Sequence, residues 1–239
     1  MLLTTRVAAG VAALALFLLA AAGPAYRIGL LSIPNAFSLL RWGAYAGIAA
    51  MVLALIAGGL AYRRHARYVV AKAILTFVAG LVAFAIPFQW QTTAQSLPRI
   101  HDVTTDLENP PTYQAILPLR ADAPNTLDRP TDLAEQQRAG YPDLAPITLP
   151  MPPDQVFVRA LAVAQDSDWE IVTADKGSGR IEATDTTRWF GFKDDVVVRL
   201  TPWGSGTRVD VRSVSRVGGS DIGTNARRIR GFLEALQSE

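Results

Sequence analysis

The sequence predicts two fused objects. One is a three-span α-helical membrane anchor; the other is an α+β domain, a four-stranded antiparallel meander flanked by two helices. Three observations point there. Residues 1–88 hold seven of the 23 basic residues and none of the 21 acidic ones, so the remainder holds sixteen basic against 21 acidic. That acid-free part contains three apolar runs of about 20 residues, the length that crosses ~30 Å of hydrocarbon. After Pro152 the pattern changes to helix, two strand hairpins and helix. A +7 apolar part joined to a −5 polar part is not one soluble globule, and the acidic half does not fit a nucleic-acid binder, whose domain would be basic.

The spans are expected at about residues 2–22, 39–61 and 68–88, with single charges (Arg6, Arg41, Lys72) near their starts. Buried helices of a soluble bundle would carry a polar face, and these do not. The first run also reads as a signal peptide, with Arg6 as its positive region and Ala20-Ala21-Ala22-Gly23 as a cleavage region. It is long for that role, and two spans follow, so a retained span is the better reading. The basic cluster Arg63-Arg64-His65-Ala66-Arg67 lies between spans two and three. By the positive-inside rule it stays in the cytoplasm, which sends everything after Phe88 out to the periplasm of a bacterial inner membrane. No span carries an acidic residue or a central charge, which argues against a pump or transporter and for an anchor. Gly43 and Gly47 have GxxxG spacing and read as an ordinary packing face.

Eleven of the fifteen prolines fall in residues 98–153, which excludes a long helix or central strand there. Residues 89–151 are expected to form an extended segment docked on the domain, with local structure around 132–138. The domain proper is expected over 152–239. Its first helix runs to about Gln165. Strands at 169–174 and 180–187 are joined through Lys176-Gly177-Ser178-Gly179, and strands at 195–201 and 207–217 through Pro202-Trp203-Gly204-Ser205-Gly206. Ile222, Ala226, Ile229, Leu233 and Leu236 form the stripe of a last helix. The two helices then share one face of the sheet. About 150 residues bury a real core without a disulfide, and the chain has no cysteine.

The chemical census is short. With two histidines and no cysteine, the usual zinc sets are missing, and neither a GxSxG elbow, an HExxH motif, a Walker A loop nor a GxGxxG after a strand is present. No cofactor and no metal is expected. Three constellations remain. His101-Asp102, followed by Asp106, Glu108 and Asn109, has acid–base or cation-binding chemistry, against which stands a loop held by local side-chain turns. Asp194-Asp195 opens the third strand, but strand neighbours point to opposite faces, so solvation or pairing with Lys193 and Arg188 is the simpler reading. The adjoining Trp189-Phe190-Gly191-Phe192 turn is suited to touching lipid or a partner, or to packing over the open end of the sheet.

The third constellation is the most specific. Arg208, Asp210, Arg212 and Arg216 alternate on one strand face and lead through Gly218-Gly219-Ser220-Asp221 into a helix carrying Arg227, Arg228 and Arg230. Arginines beside free helix-start amides can hold a phosphate or carboxylate. Ser220 or Asp221 as an ordinary N-cap would satisfy the same amides, and alternating charges are usual on a water-facing strand. The expected role is therefore a non-catalytic domain that binds an envelope protein or an anionic lipid group through Arg208, Arg212, Arg216, Ser220, Asp221, Arg227 and Arg228. The alternative is a membrane-associated, metal-dependent enzyme using His101, Asp102, Asp194 and Asp195.

Several segments, taken in order, carry a resemblance. They are Ile100-His101-Asp102-Val103-Thr104-Thr105-Asp106 with Glu108-Asn109-Pro110-Pro111, then Gly179-Arg180-Ile181-Glu182-Ala183-Thr184, then Gly191-Phe192-Lys193-Asp194-Asp195-Val196-Val197-Val198-Arg199. Val209-Asp210-Val211-Arg212-Ser213-Val214-Ser215-Arg216-Val217-Gly218 and Ser220-Asp221 with Asn225-Ala226 and Arg228-Ile229-Arg230 complete the set. Over about residues 98–237 the chain resembles the bacterial family called domain of unknown function 1499, whose members often carry a membrane anchor before the domain. The resemblance implies no particular activity, substrate or catalytic residue. More loosely, the helix–meander–helix order is similar to the helix-grip domains of outer-membrane assembly lipoproteins, a likeness of fold alone.

Overall fold

The structure is a computed structural model and describes residues 2–238. The chain divides into two compact units: Met1–Thr93 with Arg188–Gly191, and Ala94–Thr187 with Phe192–Glu239.

The first unit holds helices α1 (Leu2–Arg27), α2 (Ile33–Arg63) and α3 (Arg67–Ser96). All three are long and apolar enough to cross a membrane. Each runs past its expected apolar span, because the flanking residues still favour helix. Pro34 at the start of α2 helps: it occupies a position whose amide has no helical partner. Size is sorted in the direction opposite to that of a soluble bundle. Ala8, Ala12, Ala15, Ala50, Ala57 and Ala83 are buried, whereas Phe17, Leu55 and Leu75 are 66%, 64% and 71% exposed. Small residues let helix backbones approach, and large apolar ones face outward, which suits lipid as the surrounding solvent. The two GxxxG glycines serve different neighbours. A Cβ on Gly43 would meet the Ala15 carbonyl at 3.2 Å, and one on Gly47 would meet the Gly80 carbonyl at 2.6 Å.

Trp189 and Phe190 belong to this unit, not to the end of the sheet as one expectation had it. The Trp189 ring lies 5.3 Å from that of Trp90, and Phe190 lies 5.6 Å from Phe37 and 6.1 Å from Tyr26.

The second unit is an antiparallel sheet with helices. The sheet has six strands, not four: β1 (Asp102–Thr104), β2 (Ile147–Leu149), β3 (Glu170–Asp175), β4 (Arg180–Thr186), β5 (Lys193–Trp203) and β6 (Gly206–Ser215). Their order is β1-β6-β5-β4-β3, with β2 also on β6. The two additional strands come from the proline-rich segment. They share one edge of β6, β2 opposite residues 207–209 and β1 opposite 212–214. Three residues are too few to show a period of two, which is why pattern reading passes over them.

Helices α5 (Pro153–Asp166) and α6 (Thr224–Ser238) pack on one face, with α4 (Leu133–Gly140) in the preceding segment. Val156, Phe157 and Ala160 of α5 and Ile229, Phe232 and Leu236 of α6 meet Val196, Val198, Val209 and Val211 of the sheet. Trp169 stacks on Phe232 at 5.2 Å. The β3–β4 turn requires glycine at 179, where φ is +64° and a Cβ would lie 2.4 Å from the Leu200 carbonyl.

Candidate functional site

The opposite face of the sheet carries the alternate residues of β6, namely Arg208, Asp210, Arg212 and Val214, with Arg216 just beyond the strand. Opposite them lie Arg199, Val197 and Asp195 of β5 and Asp102 of β1. This face does not meet water as expected. Residues 105–129 lie across it, and Asp210 and Arg212 are only 1% and 4% exposed. A charge removed from water must be paired, and here the pairing is extensive.

Asp102 accepts from Arg212 Nε (3.0 Å) and Nη2 (2.8 Å) and from Arg129 Nη1 (2.6 Å). Arg212 also donates to the Pro111 and Leu127 carbonyls and lies over the Tyr113 ring, 5.4 Å from its centroid. Asp195 accepts from Arg120 (2.6 Å), from Arg216 Nε (2.9 Å) and Nη2 (2.7 Å), and from the Thr184 hydroxyl (2.8 Å). Arg199 and Arg208 share Asp106 and Asp210. Glu182 accepts the Gln114 and Ile116 amides at 2.8 and 2.9 Å, which ties the covering segment to β4.

These environments shift titrations. Burial lowers the Arg212 pKa, but the hydrogen bonds and charge of Asp102 outweigh it and the net shift is upward. For Arg129 burial wins over Asp102 and the shift is downward. Burial pushes the Tyr113 phenol well above its usual range. Its hydroxyl donates to the backbone carbonyls of Asp195 (2.8 Å) and Arg212 (3.1 Å).

Asp194 points to the other face, where Arg228 joins it at 2.6 Å to Asp185 at 2.7 Å. Arg228 also donates to Ser213 Oγ and Asn225 Oδ1, and Asn225 is fully buried. The two adjacent aspartates therefore diverge, as strand geometry requires. Their partners are Arg228 on one side and Arg120 with Arg216 on the other, in place of the expected Lys193 and Arg188. Both are buried, so strand-edge solvation is also wrong.

His101, just before β1, is held through its backbone: its carbonyl accepts from the Ser215 amide and from Asn225 Nδ2. Burial lowers the His101 pKa despite Asp102 and Asp221 nearby. Asp106 accepts the Glu108 and Asn109 amides, the local turn expected there, in addition to its arginines. Among the described residues, no group of three His, Asp or Glu side chains converges to hold a metal ion.

At the start of α6, Asp221 accepts the Gly223 and Asn225 amides (3.0 and 2.6 Å), and Ser220 Oγ accepts that of Ile222 at 3.3 Å. The donors that an anion would use are thus met by the chain itself. Burial raises the Asp221 pKa against these hydrogen bonds. Of the seven residues expected to bind an anion, Arg208, Arg212, Arg216 and Arg228 are consumed in ion pairs. Arg227 is exposed and donates to the Ile222 carbonyl and Thr224 hydroxyl. Arg208 is part-exposed and lies 5.6 Å from the ring centroid of Trp203, a residue 57% exposed at the β5–β6 turn.

Sequence reasoning gave no role to Arg120, Arg129 and Glu182. The signal was present: Tyr113, Ile116 and Leu127, apolar residues in the proline-rich segment, pack with Val197 and Val214 of this face.

The fold is that of an antiparallel α+β domain preceded by three apolar helices, with its charged sheet face sealed by its own chain. The chain belongs to the family "Protein of unknown function (DUF1499)", whose model matches residues 102–236. No curated protein matches it. The family-bearing segments fall largely on the sealed ionic face and on the Asp194–Arg228–Asn225 cluster, which gives them a structural task.

Proposed function

We propose that this protein is a membrane-tethered, non-catalytic binding module of the bacterial cell envelope. The three helices anchor it in the inner membrane, the basic turn between α2 and α3 lies in the cytoplasm, and the domain stands in the periplasm. There it engages an envelope protein or an anionic lipid group. The observation that carries this reading is how the charged groups are used. Asp102, Asp194 and Asp195, the carboxylates an enzyme would need, are spent on arginines. What stays exposed is Trp203, with the ion-paired Arg208 beside its ring, together with Arg227. Trp and Arg are the residue types that most often dominate binding energy at interfaces.

The test is a photoreactive phenylalanine analogue at position 203 in the full-length protein in cells, with position 170 as an exposed control. A specific adduct at 203, weakened by Arg227→Gln, is expected. An equal adduct pattern at both positions overturns the reading. Arg212 and Arg216 are unsuited as probes, because their removal strips the buried Asp102 and Asp195. Orientation is read by a reporter active only in the periplasm fused after Glu239, which must be active.

A further inference from the structure

The two units treat arginine differently. In the domain, every strongly buried guanidinium named above meets a carboxylate. The first unit contains no Asp or Glu at all, so Arg63, Arg64 and Arg67 at the α2–α3 turn have no carboxylate in their own unit, and all three are exposed.

Below that turn, α2 and α3 leave a groove beside the close approach of Gly58 to Ala73. A cavity of about 300 Å³ opens between them, lined on α2 by Ala54, Leu55, Gly58 and Gly59 and on α3 by Val70, Ala73, Ile74 and Phe77. A Cβ on Gly59 would meet nothing within 4 Å, so the missing side chain at that position leaves open space. Helical spacing places the arginines at its mouth. Leu55, Gly59 and Arg63 are separated by four residues each, and Arg67, Val70, Ile74 and Phe77 by three or four, so both rows run along one helix face. Arg63 lies one turn beyond Gly59, and Arg67 nearly one turn before Val70, rises of about 6 Å and about 4.5 Å.

We propose that this groove is a binding site for an anionic glycerophospholipid. Its phosphate sits between Arg63 and Arg67, and the first part of one acyl chain fills the space beside Gly59. The apolar lining selects a lipid over a free phosphate, and the arginines select an anionic headgroup over a zwitterionic one. The inference rests on the helices crossing a bilayer.

Detergent-purified full-length protein is titrated with phosphatidylglycerol or phosphatidylcholine of the same chains and read by native mass spectrometry. Wild type should retain one phosphatidylglycerol with a preference of about tenfold or more over phosphatidylcholine. Arg63→Gln with Arg67→Gln should bring that preference close to unity. Gly59→Leu fills the groove without touching a charge and should abolish the retained lipid of either kind. Equal binding of both lipids by wild type, or retention unaffected by Gly59→Leu, overturns the proposal. Loss of the lipid to added glycerol phosphate also overturns it, as does a dimer that Gly59→Leu disrupts with no lipid bound. Release of the protein from membranes by alkaline carbonate would remove the anchor reading itself. Resistance to release, with no lipid retained, removes the lipid site alone.

Discussion

Asp195 offers the sharpest test of the sealed face. Its carboxylate is fully buried and neutralises Arg120 and Arg216, whose side chains are 4% and 15% exposed. Asp195→Ala leaves two guanidiniums facing each other across an apolar gap, along with the Thr184 hydroxyl that donated to it. Breaking a buried pair from one side costs about 3–5 kcal/mol. Against a typical domain stability of about 5–15 kcal/mol, that is about a fifth or more of the total. The loss should appear first where Arg120 pins the covering segment, since the Gln114 and Ile116 amides beside it are held only by Glu182. Hydrogen–deuterium exchange on the full-length protein in detergent reads this directly. Amides of residues 111–127 should exchange roughly two to four orders of magnitude faster in the variant, at tenfold per 1.4 kcal/mol. Asp166→Asn, an exposed change on α5, should alter nothing. An increase below tenfold at Ile116 would refute the claim that this ion cluster holds the segment down.

Two buried tyrosines should behave oppositely. Tyr113→Phe removes a hydroxyl whose one proton is shared between two carbonyls and should cost about 1–2 kcal/mol, whereas the Tyr141 hydroxyl is buried with no hydrogen-bond partner, so Tyr141→Phe should be neutral or stabilising by up to about 1 kcal/mol. Urea midpoints of the two variants decide it, and equal losses would sink the distinction. Asp221 gives a pH signature. Burial raises its folded pKa above 3.8, so the folded state binds the proton more tightly than the unfolded chain. That contribution to stability is complete below about pH 3.8 and is lost as pH rises through the raised folded value. Asp221→Asn keeps an amide-capping oxygen and should flatten stability against pH across that window; an unchanged profile would contradict the assignment.

The long elements were legible because they repeat. The apolar runs of the anchor, the stripes of α5 and α6 and the paired strands around two glycine turns each declare themselves over eight or more residues. β1 and β2 do not, because three residues carry no period. The sealed face was misread for a different reason. A strand with charged residues on one alternating face looks the same whether those residues meet water or partners brought from about 100 positions away. Arg212 and Asp102 are 110 residues apart, and Arg120 and Asp195 are 75 apart. Only Tyr113, Ile116 and Leu127, apolar residues in a proline-rich stretch, hinted that something lay beneath. The divergence of Asp194 and Asp195 was deducible from strand geometry, but the identity of their partners was not.

The same long separations impose a timetable on synthesis. The stretch from Asp102 to Arg129 leaves the ribosome well before β6, yet Asp102, Asp106 and Arg120 pair with Arg212, Arg208 and Asp195, which are made far later. Contacts this distant in sequence form late, because loop closure must come before any reward. Until β4, β5 and β6 are made, the segment lacks the complete sheet face that it covers. The cover over this face is therefore completed only once the last strands of the sheet have been made.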